Sequence, residues 1–143
     1  LTNNYGIGQY AEKLIPKSIK FLSLNRKIPL HNNGSPIRNW LHAEDSAEAT
    51  LKIIEKGEEN EIYNICGGFE LSNLKVVQSI INLYFSKEVN FEDYLDLSYS
   101  RPGQDVRYSL NDQKIQNLGW ATSKDFLKEL PAIVKFYKNR FIW

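Results

Sequence analysis

The stretch EIYNICGGFELSNLKVVQSIINLYF, residues 61–85, limits the possible folds more than any other part of the chain. Its first half is rich in β-formers and is stopped by Gly67 and Gly68, which predicts a strand over EIYNICGG. Ser72 then stands where a helix N-cap belongs, ahead of the apolar helical pattern of NLKVVQSIINLYF. Strand, turn and helix in that order leave a sheet face to be covered, which argues for helices layered on a sheet rather than for a bundle.

The rest of the chain continues the alternation. In YAEKLIPKSIKFLSL, residues 10–24, Leu14, Ile15, Ile19 and Leu22 share a stripe, and Pro16 is tolerable only near a first turn, so a helix starting late is expected. KIPLH is a short extended run, NNGS a turn with Gly34 free to take positive φ, and IRNWL a second extended piece. Glu44 or Asp45 is placed to cap SAEATLKIIEK, where Ala47, Leu51 and Ile54 have helical spacing and Lys56-Gly57 marks the end. Beyond Asp96, RYSL reads as a strand and Asn111 as the cap of DQKIQNLG, ending at Gly119. A final amphipathic helix spans Ser123 to about Arg140, with Pro131 as its weak point. The fold class is therefore α/β, a mixed α+β unit.

A chain of 143 residues fits one domain, able to bury roughly 70% of its unfolded surface. Its 18 basic and 17 acidic side chains nearly cancel, which leaves no broad field for nucleic acid. Cys66 is the sole cysteine and there are two histidines, so neither a disulfide framework nor a zinc set is expected, and a reducing cytoplasm fits. No apolar run approaches the roughly 18 residues of a membrane span. With no methionine and a start on Leu1-Thr2-Asn3-Asn4, the chain reads as a piece of a longer polypeptide.

The five arginines divide by context. Arg26 and Arg140 sit at helix ends, where a cation answers the macrodipole. Arg38, Arg101 and Arg107 sit beside turns containing Gly34, Pro36, Pro102 and Gly103. Such turns can hold a guanidinium fork in place, and a diphosphate carries two anionic groups that forks can chelate. Ordinary surface ion pairs are the plainer alternative, each contributing about 0 to 1 kcal/mol.

The blocks TNNYGIGQYAEKLIP, IPLHNNGSPIRNWLHAEDSAEA, EIYNICGG, RPGQDVRYSLNDQKIQNLGW and AIVKFYKNRFIW, in this order and spacing, resemble the C-terminal part of the dTDP-glucose 4,6-dehydratase family. That family belongs to the extended short-chain dehydrogenase/reductases. The resemblance implies that residues 1–143 are the C-terminal nucleotide-sugar-binding lobe of a partial NAD(P)-binding Rossmann fold, the N-terminal Rossmann half lying elsewhere in the same protein. It also implies a lyase that oxidises the sugar at C4 with NAD, eliminates water across C5 and C6 and returns the hydride to C6. A cytoplasmic homodimer acting on a dTDP-sugar is the expected whole.

By the same resemblance, Asn3 and Asn4 follow the last strand of the catalytic domain, Asn3 reaching the sugar nucleotide and Asn4 the nicotinamide of NAD. An amide offers both a donor and an acceptor, as a sugar and a carboxamide require; an Asx turn beside Gly6 would also suit this pair. Lys13 and Leu14 meet the nucleotide from a helix. Pro29, Leu30 and His31 line the thymine pocket, with His31 where an aromatic ring is usual. Arg38, of the block usually written RDW, and Arg101, of RPGHD, address the diphosphate or its sugar, and Asn73 adds a polar contact. The loop Arg101, Pro102, Gly103, Gln104, Asp105 forms a clasp in which Asp105 orients a neighbouring arginine, expected to be Arg107 in a supporting role.

Three positions depart from the family pattern: Ile7 for a proline, Gln104 for a histidine and Cys66 for a small strand residue. Gln104 still donates and accepts but does not become charged. Cys66 reads as a small buried side chain with no base to activate it. The tyrosine-lysine pair spaced by four and the acidic pair that the reaction needs are not in this sequence, so no catalytic residue is assigned. YGIGQY does not read as a dinucleotide fingerprint, because it lacks the third glycine and no strand is expected before it. Two alternatives stand beside this reading: another nucleotide-sugar epimerase or decarboxylase of the superfamily, and a non-catalytic nucleotide-sugar binding module.

Overall fold

A computed structural model describes residues 1–140. Its elements are β1 (Asn3–Tyr5), α1 (Leu14–Ser23), β2 (Ile28–Pro29), β3 (Ile37–His42), α2 (Ala43–Lys56), β4 (Phe69–Ser72), α3 (Asn73–Phe85), β5 (Leu95–Asp96), β6 (Arg107–Tyr108), α4 (Gln113–Gln116) and α5 (Phe126–Asn139). The end of the last resembling block, residues 141–143, lies outside the described residues.

The main sheet is assembled on β3. Parallel β1 pairs with its C-terminal half, parallel β6 with its start, and antiparallel β4 with the opposite edge. Alternation along β3 gives the sheet two faces. Trp40 shares one face with Asn3 and Phe69, its register partners, and packs with α1, α3 and α5 in the larger core around Ile15, Ile19, Val77, Ile80 and Phe126. Leu41 points the other way, into a smaller core with Ala49 of α2, Ile65, Ile115 and Trp120. A separate parallel pair, β2 with β5, flanks the larger core.

Several expectations from sequence hold with shifted limits. α1 begins at Leu14, so Pro16 lies in its first turn, where its missing N–H costs nothing. Ser72 caps α3 by accepting the Lys75 N–H at 3.3 Å. α5 starts at Phe126 instead of Ser123, because Asp125 accepts the N–H groups of Leu127 and Lys128 (2.9 and 3.3 Å).

Other expectations are corrected. EIYNICGG is not a strand: residues 61–67 lie outside any ladder, and the strand begins at Phe69. Instead Ile65 accepts the Thr2 N–H at 3.1 Å, and Gly67 donates its N–H to Asn39 Oδ1 at 2.6 Å. The cap of α2 is His42, whose Nδ1 accepts the Glu44 N–H at 3.2 Å. Asp45 is buried and accepts from Ser123 N, Ser123 Oγ and Lys124 N, at 2.9, 2.7 and 3.1 Å, tying the start of α2 to the approach to α5. Leu51 and Ile54 are 59% and 76% exposed, since α2 turns Ala49 and Ile53 inward and its expected stripe outward. A strand, β1, does lead into YGIGQY, but no helix opens on it, since α1 begins only at Leu14, so the segment still departs from the fingerprint.

Candidate functional site

β1 and the start of α1 form the walls of a cleft of about 410 Å³ lined by Asn3, Asn4, Gln9, Tyr10, Lys13, Leu14 and Trp40. Asn3 and Asn4 therefore lie within a sheet strand and not after it, and pairing with Trp40 and Leu41 of β3 fixes their positions. The segment between β1 and α1 is held from below. Gln9 Nε2 donates to the Asn4 carbonyl at 2.6 Å, and the Tyr137 hydroxyl of α5 donates to the Gln9 carbonyl at 2.8 Å. Asn4 also lines an adjoining hollow of about 210 Å³ with Gly6, Gly8 and Ala43, so Asn4 borders both spaces and Asn3 the larger one. Lys13 immediately precedes α1; it is exposed and its ammonium lies 2.9 Å from Glu12. This cleft gathers four of the sequence-predicted residues: Asn3, Asn4, Lys13 and Leu14.

A second cluster forms where the β2 pair runs into the left-handed turn His31–Gly34. Pro29 lies in β2; Leu30 buries its side chain in the core and gives its N–H to Asp96 O at 2.9 Å. His31 is exposed and meets the ring of Tyr99 edge-on at 5.9 Å. Gly34 takes φ +67°, and a Cβ there would stand 2.9 Å from Leu30 and Leu74 carbons, which seats the turn on the start of α3. Asn73 opens that helix beside it, donating its N–H to Pro36 O at 3.0 Å.

Across from this turn lies the loop Arg101, Pro102, Gly103, Gln104, Asp105, all exposed except half-buried Gln104. Gly103 takes φ +73°, as a backbone bend needs. Arg38 Nη1 donates to Asp105 O at 3.0 Å and to Ile37 O at 2.7 Å, so the guanidinium is fastened to the same loop that carries Arg101. The expected partnership of Asp105 is thus corrected twice: it acts through its carbonyl, and on Arg38. Arg107 is taken up by Glu70, with Nε and Nη2 2.8 and 3.0 Å from its carboxylate oxygens. Register explains the division: Arg107 and Glu70 pair with Ile37 and Asn39, whereas Arg38 lies on the alternate face with Trp40 and Asn3. Those bonds from Arg107, with one from Ser109, hold the Glu70 carboxyl below its usual range and raise the Arg107 guanidinium.

Cys66 is buried, with its thiol 3.5 Å from Leu110 O. Burial first, then Asp112, pushes the thiol up to about 11, which keeps it protonated and inert at neutral pH. Among the described residues no group of His, Cys, Asp and Glu could hold a metal ion. Sequence reasoning missed Asn32 and Glu70. Glu70 has no local signal, and the only hint of Asn32 is a second asparagine ahead of Gly34.

Residues 1–66 match the NAD dependent epimerase/dehydratase family. The dTDP-D-glucose 4,6-dehydratase of Bos taurus is 37% identical over 98% of this chain and 40% of its own length. That of Haemophilus influenzae is 39% identical over 95% of this chain and 43% of its own length. The crystal structure of dTDP-glucose 4,6-dehydratase from Bacillus anthracis in complex with NAD superposes with a TM-score of 0.85 at 34% identity, over 96% of this chain and 43% of that one. The chain thus spans about two fifths of the length of these relatives. Along nearly its whole length it is similar to the dTDP-glucose 4,6-dehydratases, and its mixed α/β fold is similar to the corresponding part of the Bacillus anthracis enzyme.

Proposed function

We propose that this chain is the nucleotide-sugar-binding lobe of a dTDP-glucose 4,6-dehydratase, inert alone and active with an N-terminal Rossmann half of the same protein. The observation that carries the reading is the assembly around β3. Asn3, Asn4, Lys13 and Leu14 line one cleft, while Arg38 is bonded to the loop that presents Arg101. A neutral sugar suits the amides of the cleft, and a diphosphate suits two arginines tied to a common loop, Arg38 through its guanidinium and Arg101 through its backbone. His31, with Tyr99 against its edge, offers ring surface to a base. By the same reading Pro29 and Leu30 line the thymine pocket with His31, and Asn73 adds a polar contact.

The chemistry that NAD would supply when bound is reversible hydride transfer with the sugar. The residues present fit only its nicotinamide end: the Asn4 amide borders the glycine-lined hollow and suits a carboxamide, and the pyrophosphate falls to the other half. What this lobe does is bind and orient. It holds the nucleotide so that the hexose faces the acid-base groups of the Rossmann half. We place the enzyme in the cytoplasm, in keeping with a single unpaired thiol, and as a homodimer like many soluble oligomers.

Titration calorimetry on the full-length protein with dTDP, UDP and thymidine tests the reading. Tighter binding of dTDP than of either alternative supports it; equal binding of UDP refutes the thymidine assignment, and no binding of dTDP refutes the site.

A further inference from the structure

The turn His31–Gly34 contains three consecutive left-handed residues, Asn32, Asn33 and Gly34, at φ 51°, 55° and 67°. A left-handed backbone is cheapest for glycine, so a side chain at position 32 is retained at a conformational cost. The side chain of Asn32 reaches across the molecule to the loop 69 residues further on. Its Oδ1 accepts the Arg101 N–H at 3.0 Å and the Ser100 hydroxyl at 3.4 Å. Its Nδ2 donates to the Arg101 carbonyl and to Gln104 Oε1, both at 3.2 Å. Its backbone N–H donates to Tyr99 O at 2.9 Å, and its carbonyl is held by the Ser35 N–H and hydroxyl at 3.1 and 2.8 Å.

We propose that Asn32 is a positioning residue that latches the loop carrying Arg101 and thereby sets both arginines before ligand arrives. The amide clamps the peptide of Arg101 on both its N–H and its C=O, which fixes where that guanidinium starts. Downstream, Asp105 of the same loop meets Arg38, and Val106 O accepts the Ile37 N–H at 2.8 Å. The loop is therefore pinned at both ends, with Pro102 and Gly103 bridging between. Gln104 completes the device: uncharged at every pH, it gives Asn32 Nδ2 a constant acceptor. Ordering a loop on binding costs conformational entropy, and a latch that orders it in advance removes that cost from the ligand's affinity.

This inference rests on the reading that Arg38 and Arg101 address the diphosphate, and its test separates the two. Asn32→Gly keeps the left-handed turn and deletes only the latch, so the variant is expected to fold. In the full-length protein it should bind dTDP about tenfold more weakly while thymidine, which lacks the diphosphate, binds as before. In the same variant without ligand, backbone amides of residues 98–105 should exchange hydrogen faster. Asn32→Asp keeps the acceptor but sets a carboxylate oxygen against the Arg101 carbonyl and Gln104 Oε1, so its dTDP affinity should fall at least as far as that of Asn32→Gly. Unchanged dTDP affinity in Asn32→Gly, an equal loss for thymidine, or unaltered loop exchange would each overturn the latch while leaving dTDP binding by the wild type intact. Failure of the wild type to bind dTDP would instead remove the site itself.

Discussion

Gly67 and Asn39 show why a single residue in this fold is constrained by its neighbours rather than by its own element. Asn39 is buried, and its Oδ1 accepts both the Thr2 hydroxyl at 2.9 Å and the Gly67 N–H at 2.6 Å. A Cβ on Gly67 would lie 1.7 Å from the Trp40 carbonyl, inside any contact radius. Gly67→Ala should therefore destabilise the protein by about 3 kcal/mol or more, read by urea denaturation. Glu70 supplies a pH signature at the same scale. Its folded pKa is depressed, chiefly by the Arg107 bond, so its stabilisation is present above the ordinary carboxylate pKa of about 4.3 and is lost as pH falls through the folded value. The stability difference between wild type and Glu70→Gln should shrink as pH falls below about 4; a difference constant from pH 7 to 3 would remove the ion pair as its source. Residues with a job in their own segment were legible in sequence, as Ser72 was. Asn32 and Glu70 were not, because their partners arrive from 69 and 37 residues away.

At the scale of elements, helices were easier to read than strands. The pattern of NLKVVQSIINLYF fixes α3 because 3.6-residue periodicity and a cap are both local. Strand composition over EIYNICGG is equally plain, yet a strand exists only when a partner completes its ladder, and here β3 takes β4 from Phe69 onward. The same logic applies to α2, where helical spacing was correct and the buried face was not. Its outward Leu51 and Ile54, and Ile62 at 83% exposure, are apolar side chains left open, and under the proposed function they are where an N-terminal half would dock. Replacing Leu51 and Ile54 together by Asp should change the stability of the isolated lobe by no more than about 1 kcal/mol. The same pair should prevent its co-purification with a separately expressed N-terminal half. Retained co-purification would place that half elsewhere.

The whole molecule is two cores on the faces of one small sheet, with the cleft and the arginine loop approached from β3. The order of blocks in the sequence was sufficient for the fold class, since the first, second and fourth blocks each carry a strand followed by helix, whereas EIYNICGG forms no strand and AIVKFYKNR lies within and just beyond α5. The juxtaposition of Arg38 with the Arg101 loop is a property of the assembled chain, because β6 must pair with β3 to bring the loop back. A site built this way couples its two guanidinium groups. The most direct test is a double-mutant cycle in the full-length protein, measuring dTDP affinity for Arg38→Ala, Arg101→Ala and both together. Each single change should cost about 2 kcal/mol, the scale for a charge-assisted contact, and the pair should cost clearly less than the sum, since removing Arg38 also loosens the loop that aims Arg101. Unchanged affinity in both single variants would contradict the account.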